Sequence, residues 1–269
     1  MKPCFNSITA GRERPLEEII TACGAARFAG IEIDLNHLDA AAQRGSLKDI
    51  KKRLDDANLQ PASIMAFDLA PLAENNNASD RFRRGVEAAE QVGAPIMLVY
   101  CAANIPAGME PEKAREKAIS RTKEYAEIAP SLKVGLEPIG RTTVMGRPED
   151  ALQIAAAAGA SNVGIVMDTF HFYRAGITDI TPYPLNEFLM VHVNDAEDLP
   201  VEKLTDAHRV HLGLGTLPLA QYLGVLAAKK YSGFLSIEIF RPEYWQQPVT
   251  QVVNDAKTSY EKLLATISQ

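Results

Sequence analysis

Residues 163–168 read VGIVMD, five apolar or glycine residues closed by a carboxylate, and the chain runs straight on into TFHF. A short, unbroken apolar run is the pattern of a β-strand covered on both faces, as in a parallel sheet. The pattern recurs on either side, in VGLE (134–137), FLMVH (188–192) and FLSIE (234–238). Further out, candidate strands lie at Pro3 to Ser7, Ile31 to Asp34, Pro61 to Ala66 and Ile96 to Tyr100. With Lys133 to Glu137, Val163 to Asp168, Met190 to Asn194 and Phe234 to Ile239 the set comes to eight. Between them, Pro15 to Phe28, Ser79 to Val92, Pro111 to Ala129 and Pro218 to Lys229 begin near Pro or Ser and space apolar residues by three and four, which predicts helices. Val249 to Thr266 predicts a closing helix, and the alanine run 155–158 is helical by propensity. The sixth helix, expected between Ala175 and Glu187, reads poorly because Pro182 and Pro184 interrupt it.

Eight strand–helix units in about 250 residues predict a closed parallel (β/α)₈ barrel. An open doubly wound sheet would give the same alternation. No linker or shift in composition divides the 269 residues, so a single catalytic domain spanning 1–269 is expected. The chain is 46% hydrophobic and 23% charged with a net charge of -6, and no basic stripe marks it for nucleic acid. Cys4, Cys23 and Cys101 are odd in number and lack CxxC spacing, which reads as buried free thiols in a reducing compartment. The N-terminal MKPCFNSITAGRER has no apolar signal core, and no apolar run approaches the ~18 residues of a membrane span. A cytoplasmic enzyme without a membrane or nucleic-acid partner is the expectation; monomer and homo-oligomer both stay open.

In such barrels the C-terminal strand ends face the active site. Strands one to four end in Asn6 or Ser7, Asp34, Ala66 or Phe67, and Tyr100, whereas strands five to eight supply Glu137, Asp168, His192 and Glu238. Taken singly, each carboxylate reads as a cap or an ion-pair partner. Together, three carboxylates and an imidazole on one rim repel one another unless a cation joins them. One divalent ion brings them near a net charge of -1, and the mixed O/N donor set suits Mn²⁺, Co²⁺, Mg²⁺ or Zn²⁺ alike.

The same segments carry a family resemblance. LEPIG (136–140), VMDTFHFY (166–173), VHVNDAED (191–198) and SIEIFRPEYW (236–245), with the opening KPCFN (2–6), resemble the xylose-isomerase-like TIM-barrel superfamily of sugar isomerases, ketose epimerases and endonuclease IV. DTFHF (168–172), DAEDLPVEKLTDAHRV (195–210) and FRPEY (240–244) are similar to its inosose isomerase branch. The resemblance implies a metal-dependent sugar or polyol isomerase acting on an inosose or similar keto sugar. It implies Glu137, Asp168, His192 and Glu238 as ligands of one divalent ion. Glu137 and Glu238 would double as the acid/base pair that carries protons through a cis-enediolate. His171 and Arg209 are candidate substrate-binding residues, against bland readings as a polar loop residue and a surface arginine. Arg241 either lines the pocket or pairs with Glu243. His37, His208 and His211 read as loop residues, GLG at 213–215 is no dinucleotide fingerprint, and Tyr244 and Trp245 read as loop packing.

Departures from the family's patterns narrow the branch. Endonuclease IV resembles this chain but uses further histidines after strands two and three, and a histidine before the glycine turn where Arg209 stands here, so DNA repair is not expected. Ketose 3-epimerases carry a Glu six residues past the first ligand, where this chain has Thr143. A dehydratase acting on inosose or 3-dehydroshikimate begins with the same enolisation and is the alternative reaction. The loops hold few cationic residues, which favours a non-phosphorylated polyol ketone.

Overall fold

The computed structural model describes residues 1–267. Ser268 and Gln269, the end of the expected 1–269 domain, lie outside the described residues. The barrel strands are β1 (Lys2–Asn6), β2 (Gly30–Asp34), β3 (Gln60–Asp68), β4 (Ile96–Cys101), β5 (Lys133–Pro138), β6 (Val163–Asp168), β7 (Phe188–Val193) and β10 (Phe234–Ile237). They close in the order β1-β10-β7-β6-β5-β4-β3-β2, all neighbours parallel. The closed barrel, not the open sheet, is therefore the fold. A two-stranded antiparallel ladder, β8 (Asp195–Ala196) with β9 (Arg209–Val210), sits in the loop after β7.

Around the barrel lie α1 (Leu16–Ala25), α2 (Leu35–Arg44), α3 (Leu47–Asp56), α4 (Asn77–Val92), α5 (Pro111–Ile128), α6 (Pro148–Ala158), α7 (Thr169–Arg174), α8 (Leu219–Ala228), α9 (Pro242–Trp245) and α10 (Val249–Ile267). Local chemistry sets their ends: Pro111 and Pro148 open α5 and α6, and Ser46 and Asp49 form a reciprocal capping box on α3. The sixth crossover departs from expectation. Its helix, α7, starts directly at Asp168, and the 175–187 stretch holds only a 3₁₀ turn, Leu185–Glu187. Pro182 and Pro184 deny that stretch backbone donors, while Asp168 supplies an N-cap upstream, accepting from Phe170 and His171 N–H.

Strand side chains alternate between two apolar regions. Ile31, Ile33, Val134, Leu136, Ile165, Met167, Val191, Leu235 and Ile237 belong to the large core beneath the helices. Cys4, Ala62, Met65, Leu98, Val166 and Met190 form a separate cluster inside the barrel. Counting by twos from Val166 carries Asp168 to the upper rim of that interior, and counting from Met190 carries His192 there. The three cysteines are buried and free. Among the described residues no helix is long and apolar enough to cross a membrane.

A close approach just past β5 braces the site. A Cβ on Gly140 would stand 2.3 Å from the His171 carbonyl oxygen and 3.0 Å from Arg174 Cβ. That backbone contact cannot swing aside, so Gly140→Ala is expected to destabilise by about 1–3 kcal/mol and to shift α7 with His171. Thermal melting checks the first effect, and an unchanged KM would contradict the second.

Candidate metal centre

Glu137, Asp168, His192 and Glu238 come together at the C-terminal rim, each offering one donor atom, all within 4.8 Å of one another and all buried. His192 Nδ1 lies 3.0 Å from Glu137 Oε1, 3.2 Å from Glu238 Oε2 and 3.7 Å from Asp168 Oδ2. The oxygens of Asp168 divide the work: Oδ1 caps α7, and Oδ2 faces the cluster. The opposite ring nitrogen, His192 Nε2, sits 2.9 Å from Glu32 Oε2, a short contact that falls short of an aligned hydrogen bond.

The electrostatics are those of a site that wants a cation. Burial pushes the Glu238 carboxyl up and the nearby Glu137 charge adds to it, outweighing the opposing pull of His192 and Arg209. Burial alone would lower the His192 imidazole, yet Glu238, Glu32 and Glu137 outweigh it and raise it well above its usual value. The side chains by themselves thus recruit a proton to the imidazole. A divalent ion would supply that charge instead and would leave the imidazole free to coordinate. Three carboxylate oxygens, one imidazole nitrogen and no thiolate fit such an ion.

Two further expected residues join the site. Arg209 is 1% exposed. Its Nη1 donates to Asp168 Oδ2 at 2.6 Å and Glu238 Oε2 at 3.1 Å, and Nη2 donates to Asp206 Oδ1 at 2.7 Å. The surface reading of this arginine is wrong, because three carboxylates from separate segments draw it inside. Asp168 stays ionised well below the usual carboxylate range: burial opposes this, but Arg209 and then His171 outweigh it. His171, on α7, lines the cleft with Nε2 3.1 Å from Arg209 Nη2 and its buried Nδ1 without a partner. Burial, the largest influence, lowers its pKa and keeps the ring neutral.

Arg241 is not among the residues lining the cleft; it pairs with Glu197 at 2.7 Å and Glu243 at 3.4 Å. His37 is not a loop residue but a buried member of α2, its ring nitrogens 2.9 Å from Ser7 Oγ and 3.0 Å from the Gly11 carbonyl. His208 lies in a 3₁₀ turn and accepts from Thr205 N–H, and His211 stacks on Tyr244. None of the three belongs to the ligand cluster.

The cleft over the cluster measures about 260 Å³. Glu137, Glu238, His171 and Arg209 line one side, and Asp34, Met65, Leu98 and Tyr100 come from the opposite half-ring. A larger groove of about 390 Å³ runs between the 211–214 loop and α10, and none of Glu137, Asp168, His192 and Glu238 lines it.

A closed parallel barrel with a buried Glu–Asp–His–Glu cluster at its C-terminal rim, opening on a small cleft, defines a metal-dependent barrel enzyme. More particularly, the chain belongs to the xylose isomerase-like TIM barrel family, whose sequence profile matches residues 20–264. It is 30% identical to an inosose isomerase of Halalkalibacterium halodurans, over 96% of this chain and 94% of that one. It is 27% identical to a 3-dehydroshikimate dehydratase of Pseudomonas aeruginosa, over 87% of this chain but only 37% of the longer protein. Among solved structures, the IOLI protein with a bound zinc atom superposes with a TM-score of 0.92 at 24% identity, covering 99% of both chains.

Proposed function

We propose that this protein is a metal-dependent isomerase that moves a ketone between adjacent carbons of an inosose or a similar polyol ketone through a cis-enediolate. The observation that carries the reading is the pair of cleft-lining carboxylates, Glu137 and Glu238, on either side of the buried ligand cluster. Kinship with the inosose isomerases supports the substrate class. Glu137, Asp168, His192 and Glu238 would hold a divalent ion, which would supply Lewis-acid polarisation of a carbonyl.

The residues then divide the proton work. One of the two glutamates takes the proton from the carbinol carbon beside the carbonyl, giving the enediolate. The former carbonyl carbon receives a proton in return, while the hydroxyl proton passes from one oxygen to the other. Atoms balance, and the ketone has moved by one carbon. Arg209 lines the cleft with its N–H groups engaged by Asp168, Glu238, Asp206 and His171, so it favours the developing oxyanion through its positive charge, and the neutral His171 offers its unpartnered Nδ1–H to a substrate hydroxyl. Met65, Leu98 and Phe240 supply apolar cleft wall that limits water around the intermediate.

A dehydratase on the same scaffold is the second reading, favoured by the 3-dehydroshikimate dehydratase relative. The epimerase reading gains no carboxylate at Thr143, whose hydroxyl donates to Asn104 Oδ1 and accepts from Ile105 N–H. Inososes and related keto sugars incubated in deuterated solvent with Mn²⁺ or Co²⁺ decide between isomerase and dehydratase, and the ketone's position in the product separates isomerase from epimerase. Isomerisation conserves mass apart from one deuterium beside the carbonyl, whereas dehydration loses a water. No exchange with any α-hydroxyketone would sink enolisation as the shared first step.

Metal removal gives a second expected result. Chelation abolishes turnover and lowers the melting temperature, because the buried carboxylates lose their countercharge. Restoring the ion at a hundredfold excess over its Kd adds about 2.7 kcal/mol, roughly 5–10 °C for a chain of this size. A melting curve indifferent to chelator would contradict the metal centre.

A further inference from the structure

We propose that Glu32 is a positioning residue of the metal centre: its buried carboxylate, aimed by Ser63, Ser236 and Asn6, holds the His192 ring so that Nδ1 rather than Nε2 faces Glu137, Asp168 and Glu238. Glu32 is wholly buried midway along β2, one inward position below Asp34. Ser63 Oγ donates to its Oε1 at 2.6 Å, and Ser236 Oγ and Asn6 Nδ2 donate to its Oε2 at 2.8 and 2.9 Å. Donors from β1, β3 and β10 therefore fix one carboxylate, and its fourth neighbour is His192 Nε2 at 2.9 Å.

Proton placement on the ring follows from what each side can accept. Both ring edges face acceptor-only carboxylates, so a cation on the side of Glu137, Asp168 and Glu238 would leave the ring's one remaining proton at Nε2, on the edge facing Glu32. A ring protonated at Nε2 presents the Nδ1 lone pair to the other side, where the three ligand carboxylates stand 3.0 to 3.7 Å away. A metal-binding histidine needs a partner of this kind for its second nitrogen, both to fix the tautomer and to raise its basicity. Asn6 extends the control, since its Nδ2 also donates to Glu238 Oε1 at 3.0 Å and leaves Oε2 on the His192 and Arg209 side.

A purely structural role explains less. The interior around Glu32 is filled by apolar side chains such as Cys4, Ala62 and Met190. A buried carboxylate there costs more than an apolar side chain of similar size unless it serves a charged neighbour.

The test needs no substrate, so its failure is separable from failure of the isomerase reading. Metal-stripped protein is titrated with Co²⁺ against a competing chelator while the visible spectrum is recorded. Glu32→Gln, which keeps volume and removes charge, is expected to weaken Co²⁺ binding about 10–100-fold and to alter the cobalt bands. Wild-type affinity together with a wild-type spectrum in a folded Glu32→Gln protein would overturn the proposal. A second measurement needs no variant: ¹⁵N-histidine NMR of the Zn²⁺-loaded wild-type protein. Of the five histidines, one resonance pair should report Nδ1 bound to metal and Nε2 protonated. Metal bound at Nε2 would overturn the assignment even if Glu32→Gln did not fold.

Discussion

Glu137→Gln and Glu238→Gln are each expected to lower turnover of an α-hydroxyketone by about 10²–10⁴-fold, the range that general acid–base catalysis supplies. The strands order as β10-β7-β6-β5, so Glu238 and Glu137 stand at the two ends of the ligand arc, with His192 and Asp168 between them. Their oxygens are not equally engaged. Glu238 has Oε1 held by Asn6 and Oε2 by Arg209, whereas Glu137 uses Oε1 toward His192 and keeps Oε2 without a hydrogen-bond partner among the described residues. A glutamine keeps a carbonyl oxygen for the ion but cannot take a proton from carbon. Metal analysis on the same samples separates loss of the base from loss of the ion: near one ion per chain with turnover collapsed is the expected pair of results. Wild-type turnover and wild-type deuterium exchange in both variants would remove these residues from the proton path.

Some of this site is written openly in the chain, and the reason is physical. Asp168, His192 and Glu238 each end an apolar run in a position where an unsolvated polar group needs a partner, and Glu137 does the same one residue before Pro138. β6 occupies the expected residues 163–168, because a strand covered on both faces is apolar at every position up to its rim. β7 instead begins at Phe188, two residues before its expected start, since the 3₁₀ turn at Leu185–Glu187 delivers the chain directly into the sheet. The helix α7, TFHFYR, is rich in aromatic and β-branched residues with weak helix propensity, so periodicity could not find it. Glu32 lies in the middle of β2, where a reading of strand ends does not reach. Yet it breaks the apolar run of GIEID before Asp34 closes it, a buried carboxylate like Glu137, Asp168 and Glu238. The burial of Arg209 has no local signal at all, since it depends on Asp168 and Glu238, which lie 41 and 29 residues away in sequence.

Arg209→Met is the substitution with the largest expected effect on stability. The guanidinium is buried against Asp168, Asp206 and Glu238, and it stacks over the Phe170 ring at 4.6 Å and the Phe240 ring at 5.3 Å. Methionine replaces much of the apolar contact but none of the charge, so Asp168 and Glu238 lose their resident cation. Breaking a buried pair in this way costs about 3–5 kcal/mol, on the order of 10 °C for a chain of this length. Lysine would rescue only in part, because a single ammonium cannot present the planar fork that reaches Asp168 and Asp206 at once. The two oxygens that Arg209 holds are also the ones their carboxylates turn toward His192 Nδ1: Asp168 Oδ2 at 3.7 Å and Glu238 Oε2 at 3.2 Å. Removing the guanidinium therefore leaves a more negative cluster that depends more heavily on its ion. Mn²⁺ is expected to raise the melting temperature of Arg209→Met by more than it raises that of the wild type, while kcat/KM stays depressed because the positive charge lining the cleft is gone. Equal metal-induced shifts in the two proteins would mean that Arg209 and the ion do not share these carboxylates.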